Sequence, residues 1–228
     1  MVQLSRYSSI KEEQCQISLF GFLRFSLNHF IIFLLYYLVD AILVIDMLDD
    51  FLRPGAPLEV PNGRGIIPNI KMILEEARNR KVPIIYVCDS HLPMDGEFKI
   101  WPRHAVEGSE GAKIYDEIGP KPEDYIVKKR RYSGFFQTDL DLLLRELKID
   151  RLFITGLLTN VCVLFTAIDA YMRGYDTIIL SDATASLTDK DQEYFINYIR
   201  NTLKLKTVTT GEAIRIIQGK GLVSQGEL

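Results

Sequence analysis

The sequence is poor in the residues that small secreted folds and nucleic-acid binders depend on. Its three cysteines, Cys15, Cys88 and Cys162, are too few and odd in number for a disulfide framework, and their spacing matches no zinc knuckle or CxxC pair. A reducing compartment, the cytoplasm, is therefore the simplest expectation, and any cysteine of interest matters as a thiol. Basic residues are not in excess. Lys and Arg number 27 against 30 Asp and Glu, and a net charge of −3 argues against nucleic acid as a partner. Internal repeats and low-complexity linkers are also missing, so 228 residues fit one domain with at most an appendage.

One long apolar run is present, and it stands apart from the rest. Residues 17–39, ISLFGFLRFSLNHFIIFLLYYLV, are apolar or aromatic except where Arg24, Asn28 and His29 interrupt them. About 20 such residues span a bilayer, so a membrane anchor is one reading of a 1–38 extension. An ordinary packed extension is another. A third is a start site near Leu38 or Val39, favoured because the first buried strand begins at Ala41 and needs no leader. A signal peptide is disfavoured, as no small-residue cleavage site follows. The folded domain is expected over residues 39–220, with 221–228 as a tail.

From Ala41 onward, short apolar runs alternate with helical patterns. AILVID (41–46), VPIIYVCD (82–89), DYIVKK (124–129), RLFITG (151–156), DTIILSD (176–182) and KTVTT (206–210) read as strands. Helices are predicted over 68–80, 139–147, 160–173, 192–203 and 212–218, with Gly174 as a C-terminal stop. Such alternation implies βαβ units, a mainly parallel sheet and a three-layer α/β/α sandwich of Rossmann-like topology. In these sheets ligands bind beyond the carboxyl ends of the strands. Asp46, Asp89, Lys129 and the Gly156 turn all fall at such ends and should converge in one crevice.

Cys162 follows the Gly156 strand within the first turns of a helix. There the helix dipole should lower the thiol pKa and favour the thiolate. Asp46 could take its proton and Lys129 could hold that carboxylate, a set suited to nucleophilic attack on an amide. Cys88, inside a strand, reads as an apolar filler. Two of only three histidines, His91 and His104, lie within fifteen residues of Asp89. One carboxylate and two imidazoles suit a divalent ion, zinc first, with iron or manganese also compatible. Asp95 or Glu97 could add a further ligand.

VIDMLDDF, WPRH, YSGFFQTDL and TGLLTNVCVLFTAIDA, in this order, resemble the isochorismatase-like cysteine hydrolases, over roughly Ala41 to Ile217. The resemblance implies Asp46, Lys129 and Cys162 as the catalytic residues. Lys128 competes with Lys129, and strand alternation lets only one of the pair face the site. It also implies a cis peptide between Leu157 and Leu158, with the N–H groups of Leu158 and Cys162 as an oxyanion hole. Asp89, His91 and His104 resemble the metal ligands of nicotinamidases, in which Phe51 and Trp101 match the residues that sandwich the nicotinamide ring. Tyr132 is a candidate for the pocket wall.

The activity so implied is hydrolysis of nicotinamide to nicotinate and ammonia through a cysteine thioester, by a protein expected to form a homo-oligomer. Three features depart from nicotinamidases: a short segment between Lys129 and YSGF, Leu48 in place of a glutamine, and Ser90-His91-Leu92 in place of Trp-His-Pro. A cysteine amidohydrolase acting on a carbamoyl, ureido or other small amide is thus a rival. So is a silent binding module, membrane-anchored if the extension is genuine, although a scaffold has no need of Asp46, Lys129 and Cys162 together. A vinyl-ether-cleaving isochorismatase is disfavoured, because such enzymes lack the cysteine and the metal cluster.

Overall fold

A computed structural model describes residues 38–219. The 17–39 apolar run up to residue 37, Cys15, and the 221–228 tail lie outside the described residues. Among the described residues, no helix is long and apolar enough to cross a membrane.

Six strands form one parallel sheet: β1 (Asp40–Ile45), β2 (Ile84–Asp89), β3 (Tyr125–Lys129), β4 (Arg151–Leu157), β5 (Asp176–Ala185) and β6 (Lys206–Val208). Their spatial order is β3-β2-β1-β4-β5-β6. The chain thus winds outward from β1 to β3, then returns to β1 and winds the other way. The switch point lies between β1 and β4, where this architecture opens a crevice at the strand ends.

β1 is buried at every position, as a strand covered on both faces must be. Alternation divides it between two cores. Ile42 and Val44 pack with Ile70, Ile73, Leu74 and Ala77 of α2 (Ile67–Asn79) and with Ala213 of α6 (Thr210–Ile217). Ala41, Leu43 and Ile45 face the opposite layer. It holds Leu140 and Leu144 of α3 (Leu140–Glu146), Ala167 and Ala170 of α4 (Leu164–Met172), and Ile199 of α5 (Asp189–Asn201). Each fully buried Leu or Ile contributes about 1.5–3 kcal/mol, so the sandwich rests mainly on these two cores.

Element ends differ from the sequence expectation where capping decides them. The Thr188 side chain accepts from the Asp191 N–H, so α5 starts at Asp189 and not at Gln192. Thr209 and Glu212 form a reciprocal capping box, which ends β6 at Val208 and opens α6 at Thr210. The helix predicted over 160–173 begins as a π-helical turn, Thr159–Val163, and becomes α-helical only from Leu164. A short helix, α1 (Asp49–Leu52), had no periodic signal at four residues.

Candidate active site

Four adjacent strands deliver the groups. In the β2–β3 register Asp89 stands beside Lys129, and in the β1–β4 register Ile45 stands beside Gly156. Gly156 has φ +106°, and a Cβ there would lie 2.0 Å from the Ile45 carbonyl oxygen. Only glycine lets β4 pass so close to β1. Beyond it the Leu157–Leu158 peptide is cis, and the Leu158 carbonyl accepts from the N–H groups of Val161 and Val163. The π turn that follows carries Cys162 back toward β1, an irregularity often met at functional sites.

Asp46, Lys129 and Cys162 meet in the interior. Asp46 leaves β1 in a left-handed backbone conformation (φ 50°), which Asp enters more readily than bulkier residues. Its Oδ2 lies 2.7 Å from Lys129 Nζ, and Oδ1 accepts the Asp89 N–H at 2.7 Å. Lys129 Nζ is also 2.5 Å from Asp89 Oδ1 and 3.4 Å from Cys162 Sγ. Strand pleating separates the two lysines. Lys129 is 1% exposed inside this cluster, whereas Lys128 points outward and pairs with Glu107 at 2.7 Å.

Burial and charge set the protonation states. Burial, reinforced by the Asp89 charge, outweighs the lysine and pushes Asp46 up to about 6. Burial works against the Lys129 ammonium, but the two carboxylates prevail and hold its pKa well above normal. Burial raises the Cys162 thiol well above its usual value, despite Lys129 nearby. Burial thus works against the thiolate that helix position was expected to favour. Desolvation in this interior opposes ionisation of the thiol, and the Asp46 and Asp89 charges add to that effect.

Asp89, His91 and His104 form a second group, all at least 96% buried, with ligand atoms within 4.8 Å of one another. His91 Nε2 and His104 Nε2 lie 3.7 and 3.8 Å from Asp89 Oδ2. His91 Nε2 is buried without a hydrogen-bond partner, as a nitrogen awaiting a cation would be. Both rings are held from behind. His104 Nδ1 bonds the Pro102 carbonyl at 2.6 Å, and His91 Nδ1 bonds Asp95 Oδ2 at 3.2 Å. Asp95 thus lies behind the ring and not among the ligand atoms. Glu97 is nearer that role, with Oε1 4.0 Å from His91 Nε2. The donor set fits a zinc-like divalent ion.

A cavity opens over both groups. Asp46, Asp89, Cys162, His104 and Glu97 reach it through walls of Phe51, Trp101, Tyr132, Leu157 and Leu158. Phe51 meets His104 edge-on at 5.5 Å, and the Trp101 indole N–H donates to the Tyr132 hydroxyl at 3.1 Å. Leu58, Val161 and Leu187 also line the cavity and carried no sequence signal. Phe98, packed 5.4 Å from His91 and 5.8 Å from His104, was likewise missed; only its place in the loop between the histidines could have suggested it.

The isochorismatase domain family matches residues 40–213. The chain belongs to the isochorismatase family of hydrolases. An isochorismatase-like hydrolase of Alkaliphilus metalliredigens is 43% identical and superimposes with a TM-score of 0.75, covering 78% of this chain and 98% of that one. The N-carbamoylsarcosine amidase of Thermoplasma acidophilum is 34% identical (TM-score 0.70; 76% and 97% covered). The pyrazinamidase of Pyrococcus horikoshii, solved in complex with zinc, is 30% identical (TM-score 0.70; 75% and 99% covered). A probable inactive nicotinamidase of Arabidopsis thaliana is 32% identical over 183 residues, covering 75% of this chain and 93% of its own. This isochorismatase-family chain thus has relatives with more than one amide specificity and one named as inactive.

Proposed function

We propose that this chain is a metal-assisted cysteine amidase acting on a small, neutral, flat carboxamide, with nicotinamide as the first candidate. The observation that carries the reading is the meeting of two constellations at one cavity: Asp46 and Cys162, with Lys129 behind them, beside Asp89 and His104, with His91 behind them. The cavity's character supports the substrate class. Its described lining holds three carboxylates and aromatic or aliphatic walls but no arginine or lysine. A substrate bearing its own carboxylate, as an N-carbamoyl amino acid does, would meet repulsion and no free cation, because Lys129 is held by Asp46 and Asp89.

The geometry supports the following steps. Asp46 takes the Cys162 proton, and the sulfur attacks the carboxamide carbon, opening its C=O bond to an oxyanion. The N–H groups of Leu158 and Cys162 stabilise that oxyanion. As the C–N bond breaks, Asp46 returns its proton to the departing nitrogen, and ammonia leaves a thioester. Water, deprotonated by Asp46, then attacks the thioester carbon and the carboxylic acid departs, while the proton returns to Cys162. Lys129 steadies Asp46 throughout and offsets part of the negative charge that Asp46 and Asp89 place beside the sulfur. A bound divalent ion, held by Asp89, His91 and His104, would supply a Lewis-acidic point for a ring nitrogen, while Phe51 and Trp101 confine the ring.

The test is ammonia release from nicotinamide by the full chain, metal-stripped and then reloaded with zinc, iron or manganese. Metal-dependent release is the expected result. A folded, metal-loaded protein that releases no ammonia from nicotinamide but does so from N-carbamoylsarcosine would overturn the assignment of substrate class.

A further inference from the structure

Behind the cavity lies a polar chain that the proposed steps do not use. Asp95 is buried, with its side chain 2% exposed, and its carboxylate is fully engaged. Oδ2 accepts from the Leu92 N–H at 3.1 Å and from Arg130 Nε at 3.1 Å, and it meets His91 Nδ1 at 3.2 Å. Oδ1 accepts from the second arm of the Arg130 guanidinium. Arg130 itself is half-exposed, with 49% of its side chain open to solvent. A path of contacts therefore runs from the surface, through Arg130 and Asp95, to the ring of His91.

An ionised carboxylate can only accept, so the proton of a neutral His91 must sit on Nδ1. That leaves the Nε2 lone pair facing Asp89 and Glu97, where it has no hydrogen-bond partner. The Arg130 fork fixes the plane and position of Asp95, as bidentate guanidinium–carboxylate pairs do. The strand ends bring the two residues together. The Ser90 N–H donates to the Lys129 carbonyl at 2.9 Å, which ties the exit of β2 to the exit of β3 and sets Arg130 beside the 91–95 turn. His104 is held by a local contact instead, its Nδ1 donating to the Pro102 carbonyl two residues earlier.

We infer that Asp95 and Arg130 are positioning residues for metal binding: they hold His91 in the Nδ1–H tautomer with Nε2 free, and so set the affinity of the Asp89–His91–His104 group. This rests on the metal-site reading given above, and the test separates the two.

Zinc alone is titrated into the metal-stripped full chain in competition with a chromophoric chelator. The His91 tautomer is read in parallel from long-range proton–nitrogen correlations. Asp95→Asn should weaken zinc binding by about 10- to 100-fold and shift His91 from its Nδ1–H form. Arg130→Gln, at an exposed site that threatens folding less, should weaken it by a smaller factor of about 3 to 10. In the Asp95→Asn background Arg130→Gln should add nothing, because its effect passes through Asp95. Lys128→Ala, whose side chain pairs with Glu107 away from the histidines, should bind zinc as the parent does. Parent-like zinc affinity and tautomer in both single variants would overturn the inference while leaving the metal site standing. A parent protein that binds no zinc would remove both.

Discussion

Asp89 donates its backbone N–H to Asp46 Oδ1 at 2.7 Å, and its own carboxylate divides between Lys129 and the two histidines. One residue thus belongs to both constellations. Its N–H fixes the proposed base, one oxygen neutralises the lysine, and the other faces the candidate metal position. Burial opposes ionisation of Asp89, but the Lys129 ammonium beside it holds the carboxyl below the usual range. Coupling of this kind makes the site sensitive to the loss of any one charge.

Lys129→Met tests that sensitivity. It would leave Asp46 and Asp89 buried without their shared cation, and breaking a buried pair costs about 3–5 kcal/mol. Urea unfolding should show a loss of that order, together with loss of turnover. Lys128→Met removes an exposed pair with Glu107 and should change stability by less than about 1 kcal/mol. Equal, small effects of the two substitutions would contradict the buried-charge account.

Gly156→Ala should be poorly tolerated. Its Cβ would lie 2.0 Å from the Ile45 carbonyl oxygen, at a backbone φ of +106°. Backbone and neighbour must both shift, so a destabilisation above about 2 kcal/mol is expected. Gly174→Ala has a similar left-handed φ, +87°, but no atom within 4 Å of the added Cβ. It should cost about 1 kcal/mol from φ alone. Thermal unfolding of the pair separates crowding from conformation.

Cys162→Ala should abolish turnover, by about 10⁴-fold or more, with little change in melting temperature and full retention of zinc binding. Cys88→Ala should retain activity, since Cys88 is a buried strand residue outside the cavity described over Cys162. Appreciable ammonia release by Cys162→Ala would exclude the thioester route.

Trp101→Phe keeps an aromatic wall but deletes the 3.1 Å hydrogen bond to Tyr132. A net loss of about 0.5–1.5 kcal/mol per such bond translates into a KM raised several-fold with kcat nearly unchanged. A fall in kcat at constant KM would instead assign Trp101 a part in the chemical step.

The order of strands and helices was legible because each buried strand is a continuous apolar run and each helix carries its own period. So was the placement of Asp46, Asp89 and Lys129 at strand ends and of Cys162 just beyond one. Motif resemblance supplied the Leu157–Leu158 cis peptide, which periodicity cannot encode. Tertiary structure alone decided the rest, because the deciding contacts join residues distant in sequence. Pleating, with β3 at the sheet edge, sent Lys129 inward and Lys128 to solvent. Desolvation opposes the Cys162 thiolate, an effect that helix position alone could not reveal. Asp95 was legible only as a possible ligand; its place behind His91 depends on Arg130 arriving from another strand end, 35 residues away in sequence. The sequence determined which chemical groups were available and on which elements. The strand order β3-β2-β1-β4 determined which of them meet, because only adjacent strand ends bring their side chains within bonding distance of one another.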